Sequence, residues 1–385
     1  CILAPCRWGC SLVETTTRWP SSKHCWAYGA ACSPGRCRVR ESALKSLDWL
    51  MAAALLAAWP FGWLMAKSMR RKPDGIAIVR PGGMGDLICL DMALQSGRGS
   101  MSERVTYYLD GRSTVWAGYR GLDFVRYDRK FLRTLLSGMG RYEKVIVTEQ
   151  FFGAAAVYGL LLAGTRSRVY GFATQRMKAV LGHVVEYSPV GEHEVSAFAR
   201  LARCAEGDPA PAPLSDAQLV RERTHPATGN DLWVSIAGRG VPSRELSADE
   251  FAAIVQVAAT GRPVTVTFQP SDKPFALEVA RKIPNARLFE GTFAQLCDAL
   301  ARAPEMVTID GGMVHVGSYF GIPSQVLFSA GIVQKWRPLG RGSRVAQSPE
   351  HLPCRPCTRF GQVPPCPIQY ACKSFPTDIL APHAD

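Results

Sequence analysis

Ile76-Ala77-Ile78-Val79 is followed by Arg80-Pro81-Gly82-Gly83-Met84-Gly85-Asp86 and then by an apolar stretch around Leu87–Leu94. The first four residues have the length and composition of a strand buried on both faces. The glycines make a turn, and the apolar stretch after them reads as a helix. Strand, glycine turn and helix in this order open a parallel sheet with crossover helices. Working outward, Val105–Leu109 and Lys144–Thr148 are further strand candidates and Phe151–Ala163 an apolar helix. A second alternation starts at Trp233–Ala237. Ser247 with Glu250 forms a capping box that opens a helix to Ala259, Val264–Phe268 is a strand, and a helix follows to Lys282. Thr292 with Gln295 opens a helix to Ala303, and strands at Met306–Ile309 and Ser324–Phe328 flank a short helix through Phe320. Residues 206–230 hold Pro, Gly and polar residues without a period and read as a linker. The expectation is an α/β chain of two Rossmann-like, doubly wound domains, 73–205 and 231–385, facing a cleft. Their ligand should lie outside the carboxyl ends of the strands.

The 385 residues have room for two domains, and 47% hydrophobic with 20% charged residues excludes disorder over the whole chain. One long apolar run excludes a polytopic membrane protein. That run, Trp49–Ala66, is free of charge and as a helix would cover about 27 Å. Trp49, Trp59 and Trp63 suit membrane interfaces, and Lys67, Arg70, Arg71 and Lys72 come directly after. We therefore expect residues 49–72 to be a hydrophobic anchor or peripheral attachment at the cytoplasmic face of the inner membrane. A signal peptide, an interfacial anchor and a start at Met51 are the competing readings. A chain beginning near Pro73 is then expected to be soluble and active. Residues 1–48 show no period and read as an over-extended reading frame or an unstructured leader. The net charge of +13 is uneven: residues 1–72 carry 11 basic and 3 acidic side chains. The excess sits on the leader rather than on a folded basic stripe, which argues against nucleic acid as a partner.

Two turns carry candidate chemistry. The first fails as a dinucleotide fingerprint, because Gly83 and Gly85 need a third glycine at position 88, which is Ile88. It offers Asp86 at a helix start, either as a first-turn carboxylate or as a general base at the strand end. The second is Thr308-Ile309-Asp310-Gly311-Gly312-Met313-Val314-His315. There the N–H groups at Gly311, Gly312 and Met313 could face an anion at a helix start. Asp310 could accept from sugar hydroxyls. His315, one turn into the helix, is a donor-positioning residue or a core histidine. Asp272, after the Val264–Phe268 strand, is a candidate for the ribose. Cys354, Cys357, Cys366 and Cys372 have spacings that allow one closed structural site for zinc or iron, with disulfides or free thiols as the alternatives.

Residues 78–87, Ile-Val-Arg-Pro-Gly-Gly-Met-Gly-Asp-Leu, resemble the N-terminal signature of the family 9 glycosyltransferases, the ADP-heptose:lipopolysaccharide heptosyltransferases. Asp310 to His315, then Phe320-Gly321-Ile322-Pro323 and Lys335-Trp336-Arg337-Pro338-Leu339-Gly340, resemble their C-terminal signature. The resemblance covers roughly residues 75–385. It implies a GT-B fold, with the acceptor on the first domain and the nucleotide sugar mainly on the second. It also implies an inverting transfer with Asp86 as base, and no cofactor for catalysis. The implied partners are ADP-heptose, a glycolipid or lipopolysaccharide acceptor, and a membrane surface. Some related protein heptosyltransferases bind iron with such cysteines. The sequence departs from the pattern on the donor side: Arg244 stands where a phosphate-holding Lys is usual. Gly311 replaces a hydroxyl residue, and Phe328-Ser329-Ala330-Gly331 replaces Phe-Gly-Pro-Thr. Those departures keep open a non-catalytic protein that binds glycan or nucleotide. An NAD-linked oxidoreductase is weakened by the missing glycine.

Overall fold

A computed structural model describes residues 46–381, apart from 61–62, 65–71, 96–103, 129, 151, 175–176, 179, 237–240, 350, 356, 358–365 and 367. The leader up to residue 45 and the 237–240 part of the donor-side stretch therefore lie outside the described residues. The described chain divides into two units, one of residues 46–188 with 194–214 and one of residues 189–193 with 215–381.

The first unit opens with α1 (residues 46–60). It continues as β1 (Ile76–Arg80), α2 (Met84–Gln95), β2 (Val105–Leu109), α3 (Thr114–Arg120), β3 (Phe124–Arg126) and α4 (Phe131–Gly138). Then come β4 (Lys144–Val147), α5 (Ala154–Ala163), β5 (Val169–Phe172), β6 (His183–Val185) and α6 (Glu194–Ala205). The sheet order is β3-β2-β1-β4-β5-β6, and every pairing is parallel. β1 is buried along its whole length, as its unbroken apolar run requires of a central strand.

The second unit runs α7 (Asp216–Leu219), β7 (Leu232–Ser235), α8 (Ala248–Ala259), β8 (Val264–Thr267), α9 (Lys273–Lys282) and β9 (Ala286–Leu288). It closes with α10 (Phe293–Leu300), β10 (Glu305–Ile309), α11 (Gly312–Phe320), β11 (Ser324–Phe328), α12 (Val333–Trp336) and β12 (Arg344–Gln347). Its parallel order is β12-β11-β10-β7-β8-β9. Both expected capping boxes form, and a third, Ser215 with Gln218, starts α7. From Ser215 the stretch read as linker lies along this unit: Arg221 bridges to Gly340 and Arg223 donates to the Ala303 carbonyl at 2.8 Å. In each sheet the order reverses beside the first strand, between β1 and β4 and between β7 and β10. Loops diverge there and leave room for a ligand.

Residues 49–60 of the apolar run belong to α1. As described, α1 is shorter than a bilayer core, and no helix among the described residues is long and apolar enough to cross a membrane. Instead one stripe of it is used in packing. Ala52, Leu55 and Trp59 join the core cluster of the first unit. Asp48 accepts from the Ala154 N–H at 3.2 Å, an acid at the positive end of α5, and the Trp49 ring lies 5.2 Å from Phe152.

Candidate active site

Arg80 closes β1 as a buried cation in an apolar strand. Its Nη2 lies 2.8 Å from Asp86 Oδ1, its Nη1 donates to Thr148 Oγ1 at 3.5 Å, and its guanidinium sits 5.5 Å from the Phe198 ring centre. Burial opposes the charge, but the carboxylates of Asp86, Glu149, Glu194 and Asp110 outweigh it, so the Arg80 pKa stands above the ordinary arginine value. Asp86 is the third residue of α2, and its Oδ2 accepts from the Gly83 N–H at 3.2 Å. This is the position of a first-turn acid, so the capping role is real. The side chain nevertheless keeps 27% exposure at the strand end. One carboxylate thus caps the turn and stays open to solvent.

The turn between them needs Gly82. Its φ of +135° is one that side-chain-bearing residues rarely adopt, and a Cβ there would lie 3.0 Å from Arg80 Nη2 and 3.2 Å from Asp86 Oδ2. The next loop stitches the turn in place: Asp110 Oδ2 accepts from the Gly82 N–H at 3.1 Å, and Ser113 Oγ donates to the Gly82 carbonyl at 2.8 Å. Deeper in the unit, the buried Glu194 accepts from Gln150 Nε2 at 2.6 Å and from the Tyr187 hydroxyl at 3.0 Å. Burial, with Glu194 adding, pushes the Tyr187 phenol up. Sequence reasoning does not single out Arg80, Asp110, Gln150, Tyr187 or Glu194. The one available signal is a charge that closes an apolar strand.

In the second unit Arg244 ends a 3-10 turn (Pro242–Arg244) after β7, and Asp310 comes directly after β10. The switch point brings them together, with Arg244 Nη2 3.0 Å from Asp310 Oδ2. Gly331 belongs to the same cradle, because a Cβ on it would lie 2.2 Å from Asp310 Oδ2. Gly311 gives α11 no side-chain cap. The N–H groups of Gly312 and Met313 begin the helix beside Asp310, and an uncapped start suits an anion. His315 is buried, with its ring edge-on to Trp336 at 5.4 Å. Asp272 precedes α9 at the carboxyl end of β8, the strand beside β7. Arg244, Asp272, Asp310 and the Gly311–Met313 turn thus lie in segments that follow strands of their sheet, while His315 is buried within α11, and direct contact is described for Arg244 and Asp310.

The four cysteines expected to hold zinc or iron are all among the described residues. Among the described residues no group of three or more His, Cys, Asp and Glu side chains could hold a metal ion. Cys354 is exposed while Cys372 is buried, and Cys366 Sγ accepts from the Tyr370 N–H at 3.1 Å. Burial first, and the neighbouring cysteines second, raise the thiols of Cys357 and Cys372. The tail has another use: Lys373 Nζ donates to the Glu245 carbonyl at 2.7 Å and so steadies the residue next to Arg244.

No protein-family model and no curated protein matches the chain. Among solved structures it is similar to the glycosyl transferase family 9 protein from Veillonella parvula DSM 2008, with 16% identity, a TM-score of 0.56, and coverage of 72% of this chain and 88% of that one. It is similar also to the E. coli heptosyltransferase WaaC with ADP, at 13% identity and a TM-score of 0.57 over 71% of this chain and 93% of that one. A third is the E. coli ADP-heptose lps heptosyltransferase II, at 16% identity and a TM-score of 0.52 over 71% and 90%. At these identities the likeness is one of fold. Each of the two doubly wound units is α/β, like the folds of these structures.

Proposed function

We propose that the chain is an inverting glycosyltransferase that moves a sugar, a heptose, from a nucleoside diphosphate to a hydroxyl of a lipid-linked or lipopolysaccharide-type glycan. The observation that carries the reading is Asp86: a carboxylate fixed from two sides at the carboxyl end of β1, yet still open to solvent. The acceptor hydroxyl gives its proton to Asp86 as its oxygen bonds to the anomeric carbon. The bond from that carbon to the diphosphate oxygen breaks on the opposite face, and the nucleoside diphosphate leaves with the electron pair. The N–H groups at Gly311, Gly312 and Met313, with Arg244, stabilise the charge that grows on the diphosphate. Asp310 and His315 position the donor, and Asp272 contacts the ribose. ADP in the similar WaaC structure supports an adenine nucleotide. The site of action is the cytoplasmic face of the inner membrane, where a lipid-type acceptor is presented.

One observation favours a purely binding protein: Arg244 is already committed to Asp310. The assay that separates the two uses ADP-heptose within a panel of nucleotide sugars. The transferase reading expects ADP release dependent on acceptor, lowered about 10²–10⁴-fold in Asp86→Asn. Protection by ADP against thermal unfolding without turnover of any donor would establish the binding protein instead.

A further inference from the structure

A helix docked on a domain normally turns a polar face to water. α1 does not. Its inward stripe is Ala52, Leu55 and Trp59, and its outward face is built from Leu47, Leu50, Leu56 and alanines, with Leu50 68% exposed. Trp63 and Leu64 are helical and exposed just beyond it. α4, whose Phe131 packs on the same core cluster, adds Leu132 and Leu136 at helical spacing, with Leu132 64% exposed.

Charge indicates what covers this face. The chain carries Lys67, Arg70, Arg71 and Lys72 after the helix, and Arg129, Lys130, Arg133 and Arg141 around α4, with no acid in either 63–73 or 129–142. Lys130 and Arg133 are exposed. A second copy of the chain on this face would bring Lys130 and Arg133 up against like charges. An anionic lipid surface would neutralise them and bury the leucines and tryptophans.

We infer that α1 and α4 together form a monotopic membrane-docking face, in which α1 lies flat in the headgroup region of an anionic bilayer while its inner stripe stays on the protein. This does not rest on the transferase reading, since it is read without any sugar nucleotide. The test is co-sedimentation of the full chain with vesicles of phosphatidylcholine alone or with about a third phosphatidylglycerol. Binding is expected to the anionic vesicles, to weaken at ~0.5 M salt, and to fall at least about tenfold in Leu50→Asp/Leu132→Asp. Lys130→Glu/Arg133→Glu should weaken it on anionic vesicles. All four side chains are exposed, so the variants should keep the wild-type melting temperature. Absence of binding, or binding unchanged in folded variants, overturns the proposal. So does a dimer in sedimentation that Leu50→Asp dissociates, which would make a second copy the occupant.

Discussion

Arg80 shows how a single residue sets the character of the first site. It is buried and acted on by four carboxylates, and its loss would leave Asp86 without its ion-pair partner. Arg80→Met is expected to lower stability by about 3 kcal/mol, the scale of a buried pair broken from one side, and Arg80→Lys by less. Urea unfolding measures both, and equal stability of Met variant and wild type would contradict the role. His193 gives a pH test. It is buried, and its Nε2–H donates to the Arg337 carbonyl at 3.1 Å. Burial first, then nearby positive charge, hold its pKa down to about 3, against 6.5 when exposed. Its neutral form is therefore kept in the folded chain while the unfolded chain takes up the proton. This contribution to stability is complete above about pH 6.5 and is lost as pH falls toward 3. Between pH 7.5 and 5 the unfolding free energy should fall by roughly 2 kcal/mol in the wild type. In His193→Gln the profile should flatten over that window.

At the scale of elements, glycine positions separate turns that serve the site from those that do not. Gly331→Ala would push a methyl group into Asp310 Oδ2 and displace it from Arg244. Under the proposed transferase reading, the protection expected from ADP against thermal unfolding should then shrink, and full retention would show that the cradle does not hold the diphosphate. Gly118 is the opposite case. It is exposed inside α3, and nothing lies within 4 Å of the Cβ it lacks. Gly118→Ala should raise stability by about 0.5–1 kcal/mol, measured by urea unfolding, because alanine loses less backbone entropy in a helix.

For the whole molecule, the docking of α1 changes what truncation should do. Ala52, Leu55 and Trp59 cover part of the first unit's core, so a chain beginning at Pro73 uncovers apolar surface there. It should lose about 2–4 kcal/mol of stability and melt several degrees lower, in place of the harmless truncation that the apolar run alone suggests. Calorimetry of the two chains decides it, and coincident melting would mean that α1 does not contribute to the unit.

The alternation of buried strands, glycine turns and capped helices was enough to specify two doubly wound units. β1 is apolar throughout because both of its faces are covered, and Ser247 with Glu250 caps α8 through contacts three residues apart. Asp86, Asp310 and the Gly311–Met313 turn were legible for the same reason: they come after strands, at the position where parallel sheets leave their ligand crevice. Tertiary structure alone decided which distant groups meet. Gln150 with Glu194 and Arg244 with Asp310 join residues far apart in the chain, and no local period encodes such pairs. The cysteine spacing reads as a metal site, and only the tertiary structure decides that Cys372 is buried while Cys354 is exposed. The run at 49–66 reads as uniformly apolar, and only the tertiary structure shows that Ala52, Leu55 and Trp59 meet a protein surface. Hydropathy measures how strongly a segment avoids water, and only packing determines what replaces the water.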